Sequence, residues 1–94
     1  MINIDMLVMT PEEIMKAVAH NAKLKRKRFK LTQKELASKA GVTYSSYKRF
    51  EQTGNISFDS FVRITAALDS EAELLSIFTE RHYDSIEEII NGQS

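Results

Sequence analysis

The groups in this chain with the most obvious chemical use are its cations. Of the 13 Lys and Arg residues, eleven fall between positions 16 and 49 against a single acid there, Glu35, so this stretch carries +10. Residues 1–15 carry −3 through Asp5, Glu12 and Glu13, and residues 50–94 carry −7, which brings the whole chain to zero. A basic block inside an electroneutral chain suits contact with a polyanion, with acidic flanks that limit indiscriminate adhesion. The competing reading is a set of solvated helix faces. Other chemistry is poorly provided for. The absence of Cys removes disulfides, thiolate metal sites and cysteine nucleophiles. His20 and His82 stand 62 positions apart with no ligand partner beside either, so ordinary histidines are expected and not a metal site. No Gly-rich phosphate loop and no His-based dyad can be assembled. The expectation is therefore no catalytic residue, no cofactor and no metal: not an enzyme.

With 94 residues, 43% of them hydrophobic, the chain suits one small domain with a modest core. No apolar run is long enough to span a membrane. Met1 to Thr10 is apolar but lacks a basic flank and contains Asp5, so it does not read as a signal peptide, and a cytoplasmic protein is expected. Three Gly and one Pro argue against a turn-rich β fold and against disorder.

The elements that would carry the cations are helices with legible starts. Thr10-Pro11-Glu12-Glu13 is a capping box with Pro at the first helical position, opening a helix to about Arg28 with Ile14, Val18, Ala22 and Leu24 inward. Thr32-Gln33-Lys34-Glu35 is a second box, opening a short helix with Leu36, Ala37 and Ala40 inward and Gly41 at its end. Thr43 caps a third helix with Tyr47 and Phe50 inward, stopped near Gly54. Ser57 caps a fourth, with Phe58, Phe61, Val62, Thr65 and Leu68 as a core stripe. Ser70-Glu71-Ala72-Glu73 reads as a third box, opening a helix that includes Leu74, Leu75, Ile77 and Phe78. Asp84 or Ser85 can start a last turn or two through Ile90, and Ile2, Ile4 and Met6 alternate like a strand in need of a partner.

The second and third of these helices are separated only by Gly41, Val42 and the cap Thr43. Two short helices joined by a Gly-containing turn are the signature of a helix-turn-helix. The small Ala37 lets the third helix cross closely, Gly41 permits the turn and Val42 plugs the space beneath it. Held this way, the third helix stands proud enough to enter a DNA major groove.

Leu31-Thr32-Gln33-Lys34-Glu35-Leu36-Ala37, then Ala40-Gly41-Val42-Thr43, then Tyr47 to Glu51 resemble the lambda-repressor-like (Cro/Xre) helix-turn-helix family, and Ile64-Thr65-Ala66-Ala67-Leu68 is similar to that family's fourth helix. The resemblance covers roughly residues 14–78. It implies an all-α fold: a lambda-repressor-like bundle of about five helices, with a short N-terminal segment as a candidate strand and a short C-terminal helix. It implies a phosphate contact by Gln33, base-edge and backbone contacts by Thr43, Tyr44, Ser45 and Ser46, and Arg49 a turn further on, with Lys48 beside it. It also implies an ion pair between Arg26 and Glu51. An Arg on the recognition helix is suited to guanine through two hydrogen bonds.

The chain departs from the family pattern in two places. Lys30 stands where the family often has Gly, and the loop Gln52-Thr53-Gly54-Asn55-Ile56-Ser57 lacks the common Pro and any cation. Phosphate contact there falls to Asn55 and to the free N–H groups that open the fourth helix. The expected organisation is an N-terminal segment 1–9 that can add a dimer strand, a DNA-binding domain over 10–69, and a helical tail 70–94 for dimer or partner contact. The function implied is sequence-specific regulation of transcription, most simply a repressor bound as a homodimer to an inverted-repeat operator in double-stranded DNA. The tail from Phe78 to Ile86, with Phe50-Glu51-Gln52-Thr53-Gly54, is also similar to small regulators paired with HipA-like kinase toxins, which implies an antitoxin that represses its own operon and contacts a toxin kinase. A third reading is a protein-interaction module of the same fold that does not read DNA; the exposed donors expected at Tyr44, Ser45, Ser46 and Arg49 argue against it.

Overall fold

A computed structural model describes residues 8–80. Among them the chain forms five α-helices and no strand: α1 (Pro11–Arg28), α2 (Gln33–Ala40), α3 (Tyr44–Thr53), α4 (Phe58–Ala67) and α5 (Glu71–Leu75). The candidate strand over 1–9, apart from its last two residues, and the last helical turns to Ile90 lie outside the described residues.

The first two helix starts form as the residue types dictate. Thr10 Oγ1 accepts from the Glu13 N–H at 3.1 Å while Glu13 Oε1 accepts from the Thr10 N–H at 2.8 Å. Thr32 and Glu35 repeat this reciprocal pair at the same two distances. The backbone bond from each cap residue holds the Glu13 and Glu35 carboxyls below the usual carboxylate range. Thr43 and Ser57 cap α3 and α4 by accepting from the N–H of Ser46 and Ser60. The third box does not form. Ser70 adopts φ −115°, ψ 20° and makes no side-chain cap bond. Its hydroxyl donates to the Leu68 carbonyl and accepts from Lys25 Nζ at 2.5 Å, so α5 is tied back to α1, with Glu73 adding a 3.5 Å ion pair to the same lysine.

The core is small. Ala19, Leu36, Ala37, Ala40, Tyr47, Phe50, Ile64, Ala67 and Leu68 are buried, with Ala22, Leu31, Val42, Ile56 and Phe61 packed around them. α1 packs on α3, α2 on both α3 and α4, and α5 on α4. Phe50 lies between Tyr47 and Phe61, its ring centroid 5.9 and 6.0 Å from theirs. The end of α3 is seated closely: Gly54 takes φ 82°, and a Cβ there would lie 2.7 Å from the Met15 carbonyl carbon on α1. Gly41 ends α2 in the same left-handed region, at φ 75°. Where the related family often has Gly, Lys30 adopts φ 57°, so the chain makes that left-handed turn with a side chain present. The turn is secured by the Lys30 and Leu31 N–H groups, which donate to the Lys27 and Arg26 carbonyls.

Two expected inward stripes are corrected. On α1, Ile14, Val18 and Leu24 are exposed, and the buried positions are Ala19 and Arg26. On α4, Phe58 is 71% exposed and Val62 is exposed, while Ile64, Thr65, Ala67 and Leu68 face the core. On the last stretch Leu74 is half-buried, but Leu75, Ile77 and Phe78 are exposed. The reason is geometric. Ile14, Val18 and Phe58 belong with Phe61, Phe50 and Ile56 to the walls and floor of an open apolar trough that α1 and α4 do not close against each other. The trough continues past Val18 to Leu68, Leu74 and Ile77.

Candidate nucleic-acid interface

The site rests on a buried carboxylate. Glu51, in the last turn of α3, accepts from Arg26 of α1 in a two-pronged contact, Nε to Oε2 at 2.7 Å and Nη2 to Oε1 at 3.2 Å. Both side chains are nearly enclosed, 10% and 4% exposed. The third Arg26 nitrogen donates to the Leu31 carbonyl at 2.8 Å, which also pins the α1–α2 turn. Tyr47 donates its phenol to Glu51 Oε2 through a short hydrogen bond, and Gln33 of α2 donates Nε2 to Oε1 at 2.8 Å. One carboxylate thus joins three helices. Burial acts to raise the Glu51 carboxyl, but the bonds from Arg26, Tyr47 and Gln33 and the Arg26 charge outweigh it and hold it below the usual carboxylate range. The bond to Glu51 raises Arg26 above its ordinary value against burial, and burial followed by the same carboxylate raises the Tyr47 phenol. No buried side-chain polar atom among the described residues lacks a partner.

Gln33 therefore has a structural role beside the phosphate contact that the resemblance implies. One of its two amide N–H donors is spent on Glu51, which leaves the other and the backbone N–H as donors toward a phosphate. In the first turn of α2 the Glu35 and Leu36 N–H groups bond to Thr32, leaving the N–H groups of Gln33 and Lys34 without an acceptor among the described residues. The pattern repeats at Tyr44 and Ser45 of α3 and at Phe58 and Asp59 of α4. Free N–H pairs at the positive ends of helix dipoles are suited to phosphate oxygens.

Of the remaining sequence-derived residues, Ser45, Ser46, Arg49 and Asn55 share one cleft, and Tyr44 and Lys48 contact each other on α3. Thr43 uses its hydroxyl to cap Ser46 and stands 3.4 Å from Ser45 Oγ. Tyr44, Ser45, Lys48 and Arg49 are exposed, and Ser46 is half-buried. Ser45, Ser46 and Arg49 of α3 line a shallow cleft of about 470 Å³ with Asn55, Ile56 and Ser57 of the following loop. Among the described residues the Arg49 guanidinium makes no hydrogen bond, only its backbone carbonyl accepting from Thr53, so its planar donor fork is available to a base or phosphate.

Two lysines of the basic block have particular partners. Lys25 is bound to Ser70 and Glu73 and so belongs to the α1–α5 contact. Lys34, which sequence reasoning did not single out, stands on α2 with its Nζ 5.2 Å from the centre of the Tyr44 ring, and Lys48 stands 5.9 Å from the same ring. Its only sequence signal was membership of the basic block; Lys34 and Tyr44 are ten positions apart and are brought together by the crossing of α2 and α3. Among the described residues no cluster of His, Asp or Glu is positioned to hold a metal, and no helix is long and apolar enough to cross a membrane.

A short helix crossing over a capped, outward-facing helix, with cations and free N–H groups on the same side, defines a DNA-binding helix-turn-helix. The profile of the helix-turn-helix family matches residues 23–75, more than half of the chain. The protein belongs to the lambda-repressor-like (Cro/Xre) helix-turn-helix family of DNA-binding regulators. Neither a curated protein nor a solved structure shows a significant match.

Proposed function

We propose that the protein is a transcriptional repressor that binds an inverted-repeat operator as a homodimer, with the first turns of α3 in the major groove. The observation that carries this reading is the division of α3 into two faces. Tyr47, Phe50 and Glu51 are consumed by the fold, whereas Tyr44, Ser45, Lys48 and Arg49 are exposed, Ser45 and Arg49 in a cleft shared with Asn55. Arg49 reads a guanine, Tyr44 and Ser45 cover adjoining base pairs, and the free N–H groups of α2 and α4 take phosphates on either side. DNA reading is assigned to residues 10–69, and contact between copies to residues 70–94 together with segment 1–9.

The homodimer is supported by the apolar trough between α1 and α4. A single module of this size buries too little for tight specific binding, and two half-sites about one DNA turn apart supply the rest. A second copy that covers Phe58, Val62 and Ile77 would remove from water the apolar side chains left exposed by the fold.

The test is selection from random DNA with the wild type and Arg49→Ala. The expected outcome is an enriched inverted repeat for the wild type, with preference relaxed at one position in both halves for the variant, a loss of about 1–3 kcal/mol per half-site. A wild type that enriches no repeat overturns the operator reading in favour of an interaction module. A repeat unchanged by Arg49→Ala moves base recognition to Tyr44–Ser46.

A further inference from the structure

The contact between Lys34, Tyr44 and Lys48 lies outside the buried core. Tyr44 is 39% exposed at the first position of α3, and its hydroxyl makes no hydrogen bond among the described residues. Yet its ring is not left to itself. One ammonium reaches it from α2 at 5.2 Å and another from α3, one turn on, at 5.9 Å. Both distances lie within the range in which a cation is attracted to the electron-rich face of an aromatic ring. The two halves of the helix-turn-helix thus converge on one side chain that the core does not need.

We propose that Lys34 is a positioning residue for sequence recognition: with Lys48 it holds the Tyr44 ring so that the phenolic hydroxyl meets one base pair. This inference rests on the DNA-reading function proposed above. Three physical points support it. Tyrosine has only two side-chain torsions, so two contacts suffice to fix its direction before DNA arrives, and that ordering is not then charged to binding. An ammonium has three donors and no acceptor, so each lysine can remain over the ring while it donates to a phosphate. The attraction also grows as DNA displaces water from around the ring, so the arrangement tightens in the complex instead of being dismantled. Exposed lysines that only bind phosphate contribute equally to every sequence; a lysine that aims a reader does not.

The experiment compares the wild type with Tyr44→Phe, Lys34→Met and Lys34→Arg by selection from random DNA and by binding to the enriched site and its single-position variants. Both side chains, Tyr44 and Lys34, are exposed, so circular dichroism should show each of the three variants folded. Tyr44→Phe keeps the ring and deletes the hydroxyl, and is expected to lose about three- to tenfold in preference at one base position. Lys34→Met is expected to relax that same position, and Lys34→Arg, which also lies over aromatic rings, to restore it. An upfield shift of the Lys34 ε-protons, abolished by Tyr44→Leu, is expected in the free protein. The inference is overturned if Lys34→Met weakens all sequences alike, which leaves only a phosphate contact, or if Tyr44→Phe alters no position. It is overturned without DNA if the Lys34 protons show no dependence on the ring. A wild type that enriches no sequence removes the DNA-reading function itself, and this inference with it.

Discussion

Replacing Glu51 by Ala should be the most damaging single change available outside the apolar core. Arg26 then loses two of its three hydrogen bonds and keeps only the one to the Leu31 carbonyl, while its charge stays in a site where the side chain is 10% exposed. Stranding one member of a buried ion pair costs about 3–5 kcal/mol. The Tyr47 phenol, on a fully buried residue, loses its acceptor as well, at about 1–3 kcal/mol. Gln33 is half-buried and can turn toward water, so it adds little. These costs overlap because they share one carboxylate, and a total near the upper end of the ion-pair range, about 4–5 kcal/mol, is expected. Even about 3 kcal/mol lowers the melting temperature of a domain this size by roughly 12–24 °C. Urea unfolding at neutral pH gives the free energy directly. The companion variant Arg26→Met/Glu51→Leu removes both charges, and should cost only about 1–3 kcal/mol, chiefly from Tyr47 and the Leu31 carbonyl. A Glu51→Ala protein within about 1 kcal/mol (less than one decade in the equilibrium) of the wild type would refute the reasoning. So would a double variant as unstable as the single one, since the penalty would then not come from a stranded charge.

The same carboxylate predicts the acid limb of stability. Because Glu51 is held lower in the folded state than its ordinary value, its contribution is present above that ordinary value and is lost as pH falls below it toward the folded one; melts from about pH 6 down to about pH 2 should fall less steeply in Arg26→Met/Glu51→Leu. Gly54→Ala should destabilise by more than about 2 kcal/mol, because a left-handed residue gains a Cβ that also meets the Met15 backbone, whereas Gly41→Ala should cost only about 1–2 kcal/mol, its nearest obstacle being the flexible Arg63 side chain; equal costs in urea titrations would show that the α3–α1 seat is loose. Lys30→Gly should stabilise by about 0.5–1 kcal/mol, by relieving a left-handed conformation in a residue with a Cβ, and an unchanged unfolding midpoint would count against strain at that turn. Lys23→Ala/Lys27→Ala should weaken specific and random DNA alike and flatten the salt dependence by about 0.9 for each phosphate no longer neutralised, as measured by titrations at several salt concentrations.

The local code was legible where one residue decides one bond. Thr10, Thr32, Thr43 and Ser57 each announce a helix start, and Gly41 and Gly54 mark ends, because capping needs only a neighbour three positions away. The pairing of Arg26 with Glu51 was accessible through family resemblance, since no local pattern links positions 25 residues apart. What the sequence could not show is which competing partner a group chooses in space. Ser70 had the right spacing for a capping box but found Lys25 on another helix. Gln33 carries a second bond that no local pattern announces, because the α2–α3 crossing brings Glu51 within 2.8 Å of one of its amide donors. Helical periodicity placed Ile14, Val18, Phe58 and Val62 on apolar stripes; Ile14, Val18 and Phe58 do form a common surface with Phe61. Periodicity alone, however, cannot tell a stripe that meets another helix from one that faces an open trough.

The two-faced construction of α3 separates the address from the anchor. Ser45, Lys48 and Arg49 form no side-chain contact that the core depends on, and Glu51, Tyr47 and Gly54 fix the rod on which they ride. On the proposed reading, a change at Ser45, Lys48 or Arg49 would alter which DNA is bound at almost no expense in folding, while a change at the anchors is charged to stability first. The scaffold tolerates a rewritten message because the writing is confined to one side of the rod.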